Sequence, residues 1–90
     1  MHIIIVGAGK VGQTLINNFT LEKHDIVVVD ADFATVDKVV NHHDVKGIVG
    51  GGLERKVLID AGAEKADLLI ACTSHDEMNI LCCVLAKKIG

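Results

Sequence analysis

The apolar positions of the chain alternate between two spacings. Ile3 to Val6 is a continuous β-branched run that meets Gly7, and Lys10 to Phe19 then carries Val11, Leu15, Ile16 and Phe19 at helical intervals. Ile26 to Val29 is a second buried strand, closed by Asp30. Asp32 caps a helix over Ala34 to Val40, whose Val36, Val39 and Val40 form one stripe. A short third strand, Val45 to Val49, runs into Gly50-Gly51-Gly52. Leu53 to Ala61 reads as a brief helix stopped near Gly62, with Val57, Leu58 and Ala61 facing inward. Leu68 to Cys72 is the fourth strand. Ser74, followed three residues later by Glu77, forms a capping box that opens a last helix reaching Lys88. The order is βαβαβαβα, with no internal repeat, linker or low-complexity tract.

Such alternation predicts an α/β fold: a Rossmann-like, doubly wound parallel sheet with right-handed crossovers and helices on both faces. The expected strand order is 3-2-1-4. The strands are unbroken Ile, Val and Leu runs, as expected where both faces are covered. Composition agrees, since half of the 90 residues are apolar while Trp and Tyr are absent and Phe occurs twice. Ninety residues make a single domain, 1–90, with no room for a separate substrate domain. A net charge of −3 offers no basic stripe for nucleic acid. Asp, Glu, Lys or Asn interrupts every apolar stretch before membrane-spanning length, so no direct membrane insertion is expected. Met1 leads straight into the first strand rather than into a secretion signal, and the cytoplasm is the expected compartment. Cys72, Cys82 and Cys83 are odd in number and lie among apolar residues, unlike a disulfide framework.

Gly7-Ala8-Gly9-Lys10-Val11-Gly12 is G-x-G-x-x-G between a hydrophobic strand and an amphipathic helix. Gly7 permits the tight turn, Gly9 lets a pyrophosphate approach the backbone, and Gly12 lets the helix lie close to the strand. Unpaired amides and the dipole at the helix start attract phosphate. Asp30 ends the second strand 18 positions after Gly12, near where a dinucleotide fold places a carboxylate to accept both ribose hydroxyls of adenosine. The same charge repels a 2′-phosphate, which favours NAD(H), ATP or ADP over NADP(H). In the order 3-2-1-4 the switch point brings Thr73-Ser74-His75 opposite Gly7 to Lys10, so Thr73 and Ser74 are candidates to bond phosphate or ribose. Ser74 can equally serve as a cap alone, and Lys10 can either neutralise phosphate or remain solvated.

Several stretches together resemble a known family. They are Gly7 to Gly12; Val28-Val29-Asp30; Val57-Leu58-Ile59-Asp60-Ala61-Gly62-Ala63-Glu64-Lys65-Ala66-Asp67; and Ala71-Cys72-Thr73-Ser74-His75-Asp76-Glu77-Met78-Asn79. The chain is similar to the N-terminal lobe of Trk/Ktr-type potassium-transport regulators, the RCK or KTN (TrkA-N) domain, over essentially its whole length. That resemblance implies a cytosolic, non-catalytic nucleotide sensor. It would assemble into homo-oligomeric rings built from dimers, peripheral to the inner face of the membrane, and gate a K⁺ transporter or channel on binding NAD(H) or adenine nucleotides. The sequence departs from the family at Gly51, where an acid or amide usually lies beside the adenine, and in its length, which reads as a truncated lobe. With Ala31 beside Asp30, the candidate cofactor-binding set is Gly7, Ala8, Gly9, Lys10, Val11, Gly12, Asp30, Ala31, Gly51, Thr73 and Ser74.

The last helix is apolar around more of its circumference than one sheet face can bury, which points to a dimer contact or to cover by further chain. Three other readings are weighed. A fragment of an NAD-dependent dehydrogenase would use His75 as an acid/base, but no second group orients it. A scaffold with a vestigial site is encouraged by Gly51. Metal binding fails on spacing, because His42-His43 and Cys82-Cys83 are adjacent and splay about 100° apart on a helix. No catalytic or metal residue is therefore assigned.

Overall fold

The computed structural model describes all 90 residues, Met1–Gly90. Its elements run β1 (His2–Val6), α1 (Lys10–Phe19), β2 (Asp25–Asp30), α2 (Phe33–His42), β3 (Lys46–Val49), α3 (Arg55–Asp60), β4 (Leu68–Ala71) and α4 (Asp76–Ile89). The four strands form one parallel sheet in the order β3-β2-β1-β4, as the alternation predicts. No helix is long and apolar enough to cross a membrane.

The period of two along β1 and β2 divides the core into two layers. Ile3, Ile5, Ile26 and Val28 pack with Ile16 and Val39 of α1 and α2. Ile4, Val6, Val27 and Val29 turn the other way, onto Leu58, Ala61 and Cys82 of the α3 and α4 side. Cross-strand partners such as Ile3 and Ile26, or Ile4 and Val27, share a face, so the register keeps both layers in phase. Ile3, Ile4 and Ile5 are completely buried because β1 has a strand on each side and a helical layer on each face. The edge strands β3 and β4 contain no fully buried residue.

Element boundaries differ from the pattern-based ones by one or two residues. Asp32 caps α2 as expected, its Oδ2 accepting from the Thr35 amide at 3.3 Å and hydroxyl at 2.6 Å, and the helix runs on to His42. Leu53 and Glu54 belong to a turn before α3, which starts at Arg55. The capping box at α4 does not form. His75 is the N-cap residue and makes no side-chain cap bond, while the Ser74 hydroxyl lies 3.3 Å from His75 Nδ1. The reason is the turn before it, where the Asn79 carboxamide reaches back to Thr73 and turns Ser74 outward. At the opposite end of the sheet, the His2 ring bridges Asp25 and the Ala61 carbonyl, each at 3.1 Å.

Cys82 is wholly buried in the α3 and α4 layer, and burial, with Cys83 adding to it, pushes its thiol from an ordinary 9.0 up to about 11. The folded chain therefore keeps a proton that the unfolded chain releases. The stability tied to it is complete below pH 9 and lost as pH rises towards about 11. Denaturant titrations are expected to show a loss of about 2–3 kcal/mol across that window, reduced in Cys82→Ala. An identical pH slope in the variant would contradict the assignment.

Candidate functional site

Four loops leave the carboxyl ends of β1 to β4, and three of them are tied to a neighbouring strand by extensions of the sheet's hydrogen-bond ladder. The Gly7 amide donates to the Val29 carbonyl at 2.7 Å, the Gly50 amide to that of Asp30 at 2.9 Å, and the Cys72 amide to that of Val6 at 2.8 Å. Between them lies a cleft of about 350 Å³, within the range of small-ligand sites. Its walls include Gly7 and Gly9, Asp30 and Ala31, Gly50 to Gly52, and Thr73 to His75.

The glycine-rich turn divides its work as the motif predicts. Gly7 has φ +102°, a left-handed conformation that other residues adopt only with strain. A Cβ on Gly12 would stand 2.1 Å from the Gly7 carbonyl oxygen, so only glycine lets α1 lie this close to the end of β1. Gly9 is different: a Cβ there would meet nothing within 4 Å, because that position faces the cleft. Gly9 is also the N-cap of α1 and has no side chain to cap it. The first amide of the helix region to find a carbonyl is Gln13, on Gly9 at 2.9 Å, which leaves the amides of Gly9, Lys10 and Val11 available to a ligand.

Asp30 joins the first two loops. Its Oδ2 accepts from the Ala8 amide at 2.8 Å and its Oδ1 from the Asp32 amide at 2.9 Å. Each oxygen has a lone pair left, so the carboxylate can hold the loop and still accept a hydroxyl. Cys72 lies on the cleft floor and donates from Sγ to the Gly7 carbonyl at 3.2 Å. Burial, and secondarily the Asp30 charge, pushes its thiol upward, so it remains a neutral donor near pH 7.

Of the candidate set, Gly7, Gly9, Asp30, Ala31, Gly51, Thr73 and Ser74 line the cleft. Ala8 and Gly12 are buried beneath the loop, while Lys10 and Val11 are exposed on the first turn of α1. The Thr73 hydroxyl donates to Asn79 Oδ1 at 2.6 Å, and the same oxygen takes the Thr73 amide at 2.9 Å. Thr73 thus shapes the loop, and Ser74 is the freer hydroxyl. Asp76 and Glu77 fill the first turn of α4, which leaves α1 as the anion-attracting helix end. Cys72 and Met78 were not foreseen as lining residues, since nothing in an apolar run marks which member ends on a cleft. No three His, Cys, Asp or Glu side chains converge as a metal site would require.

Residues 3–90 match the family described as the TrkA-N domain. The Trk system potassium uptake protein TrkA of Haemophilus influenzae is 43% identical over 89 residues, which are 99% of this chain and 19% of that protein. The chain thus spans about a fifth of the length of this curated relative. Among solved structures, the TrkA-N domain of the Escherichia coli inner membrane protein YbaL superposes with TM-score 0.91 at 21% identity, over 99% of this chain and 65% of that one. The Shewanella denitrificans Kef CTD in its AMP-bound form superposes with TM-score 0.84 at 23% identity, over 98% of this chain and 52% of that one. At such identities the two structures establish the shared fold.

The two glycines separate by their surroundings. Gly12→Ala must displace backbone and is expected to cost about 2–4 kcal/mol, lowering the melting temperature by roughly 10–20 °C. Gly9→Ala is expected to stay within about 0.5 kcal/mol of the parent. Calorimetric melting of both proteins checks this, and equal losses would contradict the geometry.

Proposed function

The chain belongs to the TrkA-N domain family, and from that premise we propose that it is a regulatory module which binds NAD(H), ATP or ADP in the cleft and thereby controls potassium uptake. The observation that carries the reading is the meeting of two complementary features in one cleft. Amides free to bind phosphate open α1, and one strand away Asp30 presents a carboxylate to a ribose. Gly7, Gly9 and Gly12 shape the phosphate end, with Ala8, Lys10 and Val11 around it. Asp30 and Ala31 meet the ribose, Gly51 faces the base, and Thr73 and Ser74 close the opposite wall.

The module acts through binding rather than turnover, working from the cytoplasmic side on a membrane K⁺ transporter or channel subunit. The match to a potassium uptake protein supports that partner class. Regulation then follows from differential affinity: a nucleotide shifts an assembly only as far as it prefers one of its states. A second copy of the chain is the proposed occupant of the apolar stripe on α4, where Ile80, Leu81 and Val84 are 65%, 54% and 48% exposed.

Calorimetry with NAD, NADH, ATP and ADP tests the site. Asp30→Ala is expected to weaken all four by about 10–100-fold, the loss expected when charge-assisted ribose bonds are removed. Gly9→Val, whose Cβ meets nothing within 4 Å, is expected to abolish binding by filling the phosphate position. Unchanged affinity in Asp30→Ala would overturn the ribose assignment, and unchanged affinity in Gly9→Val the phosphate one. Light scattering at high micromolar concentration is expected to show a dimer that Leu81→Glu dissolves; a monomeric parent would reject the α4 interface.

A further inference from the structure

The nucleotide reading leaves open what recognises the base, and the inference below rests on that reading. Strands neighbouring in a sheet are about 4.8 Å apart. A nucleotide with its phosphate at the end of β1 and its ribose at the end of β2 therefore carries its base about 10 Å along the sheet edge, to the loop after β3. That loop is Gly50-Gly51-Gly52, which offers backbone but no side chain.

One polar side chain, that of Glu54, lies next to this loop, just outside the cleft lining. The Glu54 amide donates to the Gly51 carbonyl at 3.1 Å, so the chain folds back on itself there. The turn lays the Glu54 side chain over Gly51: its Cγ, Cδ and Oε1 are each 3.7 Å from where a Cβ on Gly51 would stand. A Cβ at position 51 would be in ordinary van der Waals contact with it. Glu54 is exposed and makes no side-chain cap bond to α3. The two ion pairs of the chain, His2 with Asp25 and His24 with Glu22, do not involve it. Its carboxylate thus has no side-chain partner in the chain and lies at the cleft's rim, against Gly51.

We propose that Glu54 is the residue that reads the base, accepting a hydrogen bond from the exocyclic 6-amino group of adenine. An ionised carboxylate only accepts. Adenine presents an N–H donor at its 6-position, whereas hypoxanthine and guanine present a carbonyl oxygen there, which the carboxylate repels. Gly51 offers no side chain of its own, and Glu54, three residues along the chain in the turn before α3, supplies the carboxylate beside it.

The test is calorimetric titration of the full chain with AMP, purine riboside 5′-monophosphate, which lacks the 6-amino group, IMP and GMP. AMP is expected to bind about 10-fold more tightly than purine riboside monophosphate, with IMP and GMP weaker still. Glu54→Ala should lower AMP affinity to that of purine riboside monophosphate and leave the latter unchanged. Glu54→Gln, whose amide can donate to a 6-carbonyl, should narrow the gap between AMP and IMP. An AMP preference that persists in Glu54→Ala, or tighter binding of GMP than of AMP by the parent, would overturn the role of Glu54 while leaving the nucleotide site intact. Absence of binding by all four would overturn both. Melting temperatures of the two variants close to the parent's are expected, since the side chain is exposed.

Discussion

Everything in this fold depends on the burial of β1 from all four sides. A strand of consecutive Ile residues has no face to give to water, so it needs a parallel neighbour on each edge and a helical layer above and below. Right-handed crossovers supply both together, and they return each strand to the sheet in the same direction. The consequence is functional, because the parallel strands deliver all their loops to one edge. The cleft is where the chain must turn away from its most buried strand, and the Gly7 and Gly12 contact is the closest of those turns.

Asp30 has a double position in that arrangement. It ends β2, and its carboxylate holds the Ala8 amide and the start of the α2 turn. The bond draws a negative charge against a loop whose remaining amides carry partial positive charge. A ligand that complements both must therefore carry its anionic and hydroxyl groups about one strand spacing apart, which is the layout of a nucleoside phosphate. Cys72 supports the loop from beneath by bonding the Gly7 carbonyl, and its raised pKa keeps it a donor rather than a competing anion.

Much of this was legible in the residues themselves. The eight elements, the strand order and the two-sided burial follow from periods of two and 3.6, because a short aliphatic chain has few other ways to cover its strands. The roles of Gly7 and Gly12 follow from the motif and its flanks. Less legible was the switch-point loop, where Ser74 and Glu77 satisfy the local rule for a capping box. The Asn79 carboxamide instead engages the Thr73 backbone and hydroxyl six residues away, and that longer-range contact decides the turn. The side chain beside Gly51 was also hidden, since a helix read from Leu53 puts Glu54 on the stripe of Leu58 and Ala61, whereas the chain turns at Leu53 and Glu54 and leaves it exposed against Gly51.

The central claim is that one cleft at the carboxyl edge of the sheet receives an adenine nucleotide. Amide chemical-shift mapping during titration of the isotope-labelled chain with AMP addresses it residue by residue. The largest changes are expected at Gly7 to Gly12, Asp30 and Ala31, Gly50 to Glu54, and Thr73 to His75, while a separate shallow groove between β4 and α4, lined by Ala66, Leu69 and Ala86, stays unmoved. Saturable changes centred on that groove, or none at the glycine-rich turn, would contradict it.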